Sequence, residues 1–206
     1  MASSPAPTGD DRAALRRELR QRRRELPAAQ RIAAADGLAA QLLALPFFRQ
    51  DAPPGQGYVA GYWAMDGEIA LHSFQLKLPK NLVYCLPILH GEELRFAPWR
   101  PGDELVSNRF GIPEPAVEPS SALEPEAMSL VVMPLVGFDA NGRRLGMGGG
   151  WYDRTFAFRR IAPAPPHLVG AGFDAQRVES LRAEDWDVHA DAICTESATY
   201  LTGVAP

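Results

Sequence analysis

Residues 81–89 read Asn-Leu-Val-Tyr-Cys-Leu-Pro-Ile-Leu, apolar along nearly the whole run. A strand with one wet face alternates apolar and polar positions. A run without alternation suits a strand covered on both faces, as in a parallel sheet between helices. Strand-like segments also occur at 58–63, 130–138, 167–173 and 191–196, with helical patterns between several of them. The shorter segment 93–99 contains a proline, which confines it to a sheet edge. Strands alternating with helices in 206 residues, with no internal repeat, predict one α/β domain. Its core is an open, mostly parallel sheet flanked by helices on both faces. The domain is assigned to 11–200, with 1–10 as a disordered tail and 201–206 as a C-terminal tail.

Two helices are expected ahead of the sheet. In the first, Leu15, Leu19 and Leu26 share a face with Ala14. Pro27 breaks it and opens the second, whose apolar stripe is Ile32, Ala35, Leu38, Ala39, Leu42 and Leu43. The two are expected to pack as an N-terminal helical hairpin against the sheet. Arg12, Arg16, Arg20 and Arg24 recur every four residues, and 11–31 holds eight arginines against three acids. Three readings stand for that basic face: a solvated surface, a nucleic-acid surface, or arginines turned inward toward a polyphosphate.

Residues 142–153 read Gly-Arg-Arg-Leu-Gly-Met-Gly-Gly-Gly-Trp-Tyr-Asp, between the strand at 130–138 and a helix expected at 153–160. Glycines let backbone N–H groups approach an anion, and a helix N-terminus adds unsatisfied donors. Arg143 and Arg144 add fixed charge. Glycine-rich turns that bind nothing are common, but the flanking arginines and the Tyr-Asp favour a phosphate site. The loop lacks the Gly-Lys-Ser/Thr of a Walker A motif, and Trp151 stands where a dinucleotide fingerprint has its last glycine. In open α/β sheets ligands bind beyond the carboxyl ends of the strands, and Glu68, 146–153 and Asp174 all follow strand ends. The Pro-rich stretch 107–125 is too long for a casual linker, whereas 51–57 reads as a surface loop.

Composition narrows the class. A net charge of −4 argues against a chain built overall for nucleic acid. Cys85 and Cys194 lie in apolar segments, which fits buried thiols in a reducing cytoplasm. No run approaches the roughly 20 apolar residues of a membrane span, and no secretory signal is evident. His72, His90, His167 and His189 show no metal-ligand spacing. Asp153 and Asp191 are oxygen donors of the kind Mg2+ takes beside phosphates. The plainer alternatives are a helix-start carboxylate for Asp153 and a pre-strand turn for Asp191, and from the residues alone the second is favoured at Asp191.

Arg143 to Arg154 closely resembles the nucleotide loop of the 5-formyltetrahydrofolate cyclo-ligase family. Further stretches resemble family segments in order: 14–16, 61–68 (Gly-Tyr-Trp-Ala-Met-Asp-Gly-Glu), 108–115 (Asn-Arg-Phe-Gly-Ile-Pro-Glu-Pro), 138–139, 173–176 and 191–196. The resemblance implies ATP as co-substrate and Mg2+ as cofactor in closing 5-formyltetrahydrofolate to 5,10-methenyltetrahydrofolate. It implies ATP contacts from Arg12, Ala13, Ala14, Leu15 and Arg16, and from Arg144, Leu145, Gly146, Met147, Gly148, Gly149, Gly150, Trp151 and Tyr152. The folate would meet Trp63, Glu68 and the loop from Met147 through Gly148, Gly149 and Gly150 to Trp151. Arg144 and Tyr152 would serve catalysis, and Asp153 and Asp191 would hold Mg2+. Two positions depart from the family's habit: Arg12 replaces a common Lys, and Trp151 a common Tyr or Phe. The expectation is a cytoplasmic monomer that binds neither nucleic acid nor membrane. The rivals are a non-catalytic folate- or nucleotide-binding relative and a nucleic-acid-binding module using the arginine helix.

Overall fold

The computed structural model describes residues 9–48 and 57–202. In chain order the elements are α1 (Gly9–Glu25), α2 (Ala28–Leu43), β1 (Gly57–Ala60), α3 (His72–Lys77), β2 (Leu82–His90), β3 (Glu93–Pro98), β4 (Leu105–Ser107) and β5 (Pro113–Pro115). There follow β6 (Met128–Pro134), β7 (Gly137–Phe138), β8 (Arg144–Leu145), α4 (Trp151–Thr155), β9 (His167–Ala171), β10 (Ala192–Cys194) and β11 (Thr199–Leu201). Seven strands form one sheet in the order β11-β10-β9-β6-β1-β2-β3. The five inner strands are parallel, while β3 and β11 run antiparallel at the two edges.

Both faces of the sheet are covered, as the unbroken apolar runs require. Along β6, Leu130 and Val132 enter a core with Leu38, Leu42 and Phe74 from α2 and α3. Val131 and Met133, pointing the other way, join Phe156 and Leu168, with Trp151 and Tyr152 of α4 packed against them. Each such fully buried side chain contributes about 1.5–3 kcal/mol of transfer free energy. Cys85 and Cys194 are buried free thiols, and burial pushes them up to about 12 and about 11.

The two N-terminal helices, joined by a two-residue turn, pack into different parts of the core. Leu15 and Leu19 of α1 pack with Val136, Leu145 and Leu181, whereas α2 belongs to the core over β1 and β6. Ile32, expected inside, is 67% exposed. The helix expected at 153–160 is α4 followed by a separate 3-10 turn, Ala157–Arg160. Leu201, assigned to a tail, ends β11. Residues 203–206 of that tail, the N-terminal tail through residue 8 and the loop at 51–56 lie outside the described residues. Among the described residues, no helix is long and apolar enough to cross a membrane.

Candidate active site

Two buried polar side chains shape the glycine loop. At the tip of the hairpin after β6, Asp139 Oδ1 accepts the N–H groups of Asn141 (2.9 Å) and Arg143 (3.1 Å), and Oδ2 accepts that of Leu181 (2.9 Å). Gln176 donates to the carbonyls of Leu135 (2.7 Å) and Val136 (2.8 Å) and accepts from Phe173 N–H (2.9 Å), joining the exits of β6 and β9. A buried carboxylate or amide tolerates burial only when so satisfied. The hairpin therefore delivers Arg144 and the following glycines to the carboxyl end of the sheet. Gly148 (φ 96°) and Gly150 (φ 66°) take left-handed conformations that L side chains rarely adopt, and Gly150 caps α4.

A cleft of about 620 Å3 opens there. Its walls include Arg12 and Arg16 from α1, Trp63 and Glu68 beyond β1, and the segment from Gly146 to Asp153, with Pro87 and Leu89 of β2 as floor. Arg16 Nε donates to the Gly146 carbonyl (2.9 Å), tying α1 to the loop. Burial, and then the neighbouring Arg12 cation, lower the Arg16 pKa. An anion placed between these arginines relieves that repulsion. Arg12 is meanwhile paired with Glu184 (3.0 Å) and Asp187 (3.7 Å), two carboxylates absent from the sequence expectations.

Arg144 donates to Asp153 Oδ1 (2.5 Å) and to the Val188 carbonyl, and Val188 N–H donates to the same carboxylate oxygen (3.1 Å). Asp153 thus stands in the cleft already bound to a cation. Tyr152 lines the cleft and stacks on Phe156 (14° between planes); burial first, then Glu68, raise its pKa above the phenol range, so it is a neutral hydroxyl at physiological pH. Glu68 Oε2 accepts Met65 N–H (3.0 Å), and burial raises its pKa. The Trp63 indole meets Trp99 edge-on at 5.7 Å. Trp151 lies between the guanidinium groups of Arg109 (5.4 Å) and Arg154 (5.1 Å), with Phe110 edge-on at 5.8 Å. Cation–π contacts of this kind stabilise by about 0.5–1 kcal/mol at exposed sites.

Several expected positions do not reach the cleft. Ala13, Ala14 and Leu15 lie outside it: Ala14 is exposed and Leu15 packs on the core beside Leu19. The Leu145 side chain is buried in that same core. Asp191 stands at the opposite, amino end of the sheet, before β10, where it pairs with Arg159 (3.0 Å) and accepts Leu168 N–H (2.7 Å). The structure does not bring Asp191 to Asp153, and among the described residues no group of three or more His, Cys, Asp or Glu is arranged to hold a metal ion. Of the arginines in α1, only Arg12 and Arg16 face the cleft. Arg20, Arg23 and Arg24 instead converge on Asp66, and Arg23, wholly buried, had no distinguishing mark in an arginine-rich run. The stretch at 107–125 starts at the end of β4, turns back as β5 to complete the β4–β5 hairpin, and continues through a 3-10 turn at Pro119–Ser121. Asn108 Oδ1 accepts the N–H groups of Phe110 and Ile112 while its Nδ2 donates to Glu114, and all four residues line the cleft.

The chain resembles known proteins over nearly its whole length. Residues 8–196 match the model of the 5-formyltetrahydrofolate cyclo-ligase family. The chain is 35% identical to the 5-formyltetrahydrofolate cyclo-ligase of Escherichia coli K12 over 188 residues, covering 88% of this chain and 98% of that protein. It is also 35% identical to the Haemophilus influenzae enzyme of the same name, over 84% of this chain and 91% of that one. The solution structure of Aquifex aeolicus 5,10-methenyltetrahydrofolate synthetase superposes with a TM-score of 0.77 at 26% identity, covering 95% of this chain and 94% of that one. With its fold and nearly its whole length matched, the chain belongs to the 5-formyltetrahydrofolate cyclo-ligase family.

Proposed function

We propose that this chain closes 5-formyltetrahydrofolate to 5,10-methenyltetrahydrofolate in an ATP- and Mg2+-dependent reaction that releases ADP and phosphate. The observation that carries the reading is the convergence on one cleft of two unlike half-sites. Arg12, Arg16 and the glycine loop suit a polyphosphate, while Glu68 with Trp63 suits a flat heterocycle that carries N–H donors. The family membership and the 35% identity to the enterobacterial enzyme support the same activity.

The formyl oxygen is a poor leaving group until it is phosphorylated. Transfer of the γ-phosphoryl group to it leaves ADP. N10 then attacks the formyl carbon and gives up its proton, a new C–N bond forms, and the C–O bond breaks with release of phosphate. Arg16 and the loop N–H groups would hold and orient the phosphates, and Arg144 would offset the charge that develops on the transferring group. Tyr152, neutral, would donate its hydroxyl proton as a hydrogen bond toward the formyl or phosphoryl oxygen. Trp63 and Glu68 would fix the pterin, and Met147 through Trp151 would lie between the two ligands. Mg2+ takes one or two carboxylates and otherwise phosphate and water oxygens. Asp153 fits that part, because its hydrogen bonds among the described residues use Oδ1 and leave Oδ2 to face a cation. Asp191 has no place in it. When bound, the metal would neutralise charge on the β- and γ-phosphates.

The basic face of α1 offers little support for a nucleic-acid reading, because Arg12, Arg20, Arg23 and Arg24 are engaged by acids of the same chain. Mixing purified protein with 5-formyltetrahydrofolate, ATP and MgCl2 should produce the absorbance of the methenyl product. A folded protein that gives none, with either nucleotide or metal varied, would leave the non-catalytic relative as the better reading.

A further inference from the structure

We infer that Arg23 is a positioning residue that holds the Met65–Glu68 turn, and with it the folate-facing carboxylate, in register with α1. This rests on the reading that Glu68 meets the folate. Arg23 is 0% exposed, yet each nitrogen of its guanidinium donates a hydrogen bond. Nε donates to the Asp66 carbonyl (3.1 Å), Nη2 to Asp66 Oδ2 (2.9 Å) and Nη1 to the Leu135 carbonyl at the exit of β6 (3.4 Å). Nη1 also lies 3.8 Å from Glu68 Oε1. One planar fork thus joins α1, the end of β6 and the turn.

The turn needs holding. Asp66 is the non-glycine residue with positive φ (53°) among the described residues, and Gly67 follows at 76°. Strained backbone of this kind persists where surrounding contacts over-determine it. Here Arg20 (2.8 Å) and Arg24 also bind the Asp66 carboxylate, from either side of Arg23 on the helix. Helix α1 carries Arg16 and Arg12 on the phosphate half of the cleft about two and three turns earlier. The same helix therefore sets both halves, and Arg23 is the member of the group that touches the turn's backbone as well as its charge.

Glu68 is faced by Arg23 and Arg20 from α1, by Asp66 in its own turn, by Tyr62 beyond β1 and by Tyr152 from α4. Burial raises its pKa and Arg23 opposes that rise. Removing the Arg23 charge should therefore leave Glu68 protonated to higher pH, whereas Lys at this position should keep the charge but lose the fork.

The test compares wild type with Arg23→Lys, Arg23→Met and Asp66→Asn in steady-state turnover, with thermal melting as a fold control. In Arg23→Lys and Asp66→Asn, KM for 5-formyltetrahydrofolate should rise about tenfold while kcat and KM for ATP change less than about threefold. In Arg23→Met, the acid limb of kcat/KM for the folate should also move to higher pH. Should Arg23→Met fail to fold, the two milder variants decide. An unchanged folate KM in folded Arg23→Lys and Asp66→Asn, or equal rises in the KM values for ATP and folate, would overturn the proposal. Wild type that forms no methenyl product would instead remove the functional reading on which it stands.

Discussion

Two arginine–aspartate pairs sit at opposite ends of one sheet. In each, a guanidinium 8% exposed binds an aspartate about one-quarter exposed, and the carboxylate also accepts a backbone N–H. Arg144 and Asp153 stand beyond the carboxyl end of β6, in the cleft. Arg159 and Asp191 stand at the amino end of β9 and β10, where Asp191 ties Leu168 to the start of the neighbouring strand. The chemistry of the two pairs is nearly the same, and only their position along the strands differs. Parallel strands gather their loops and helix starts at the carboxyl end, so a charge pair there meets ligands, while its counterpart closes the underside.

That contrast can be broken by substitution. Asp153→Asn or Arg144→Ala should lower kcat by about 100-fold or more while far-UV circular dichroism is unchanged, the magnitude expected on losing one preorganised electrostatic contact. An equal loss of turnover in Asp191→Asn would erase the distinction. Gly148→Ala tests the loop between the two ligand halves. A Cβ there is strained at φ 96° and would lie 3.4 Å from the Arg16 guanidinium carbon. ATP affinity by calorimetry should fall about tenfold, with a much smaller change for the folate. Asp191→Asn should cost about 1–3 kcal/mol in denaturant unfolding, because Arg159 is left with a weaker partner, and should leave kcat within about twofold.

The smallest effect concerns Glu68. Burial raises its folded pKa, so the carboxyl favours folding below its unfolded pKa and loses that advantage as pH rises through the folded value. Glu68→Gln should therefore melt above wild type near pH 7, with the gap closing as pH falls through the ordinary glutamate range, even as folate binding is lost. A gap that widens toward acid would show that the Arg23 contact outweighs desolvation.

The sheet was legible because its inner strands are covered on both faces: the runs at 81–89 and 130–138 carry few polar positions to confuse the reading. The β11 edge was not, since Thr199, Tyr200 and Leu201 form too short a run to stand out and owe their strand to pairing with β10. The glycine loop, Arg16, Trp63 and Glu68 were legible from local pattern and family resemblance together. Arg23 was not, because its partner Asp66 lies 43 residues away and one arginine among many carries no local sign of being buried. Asp191 shows the converse. Its place just before a strand already pointed to the amino end, and the resemblance drew it toward the metal against that local evidence.

The chain has four tryptophans, Trp63, Trp99, Trp151 and Trp186. Three line the cleft, and Trp99 rests its ring on one of those three. Three of the four indoles therefore face the cleft and the fourth touches one of them, so intrinsic emission becomes a label-free optical gauge of occupancy. Titrating nucleotide or folate alone should each change that emission, and the order in which the two ligands enter can be followed by stopped-flow without any introduced dye.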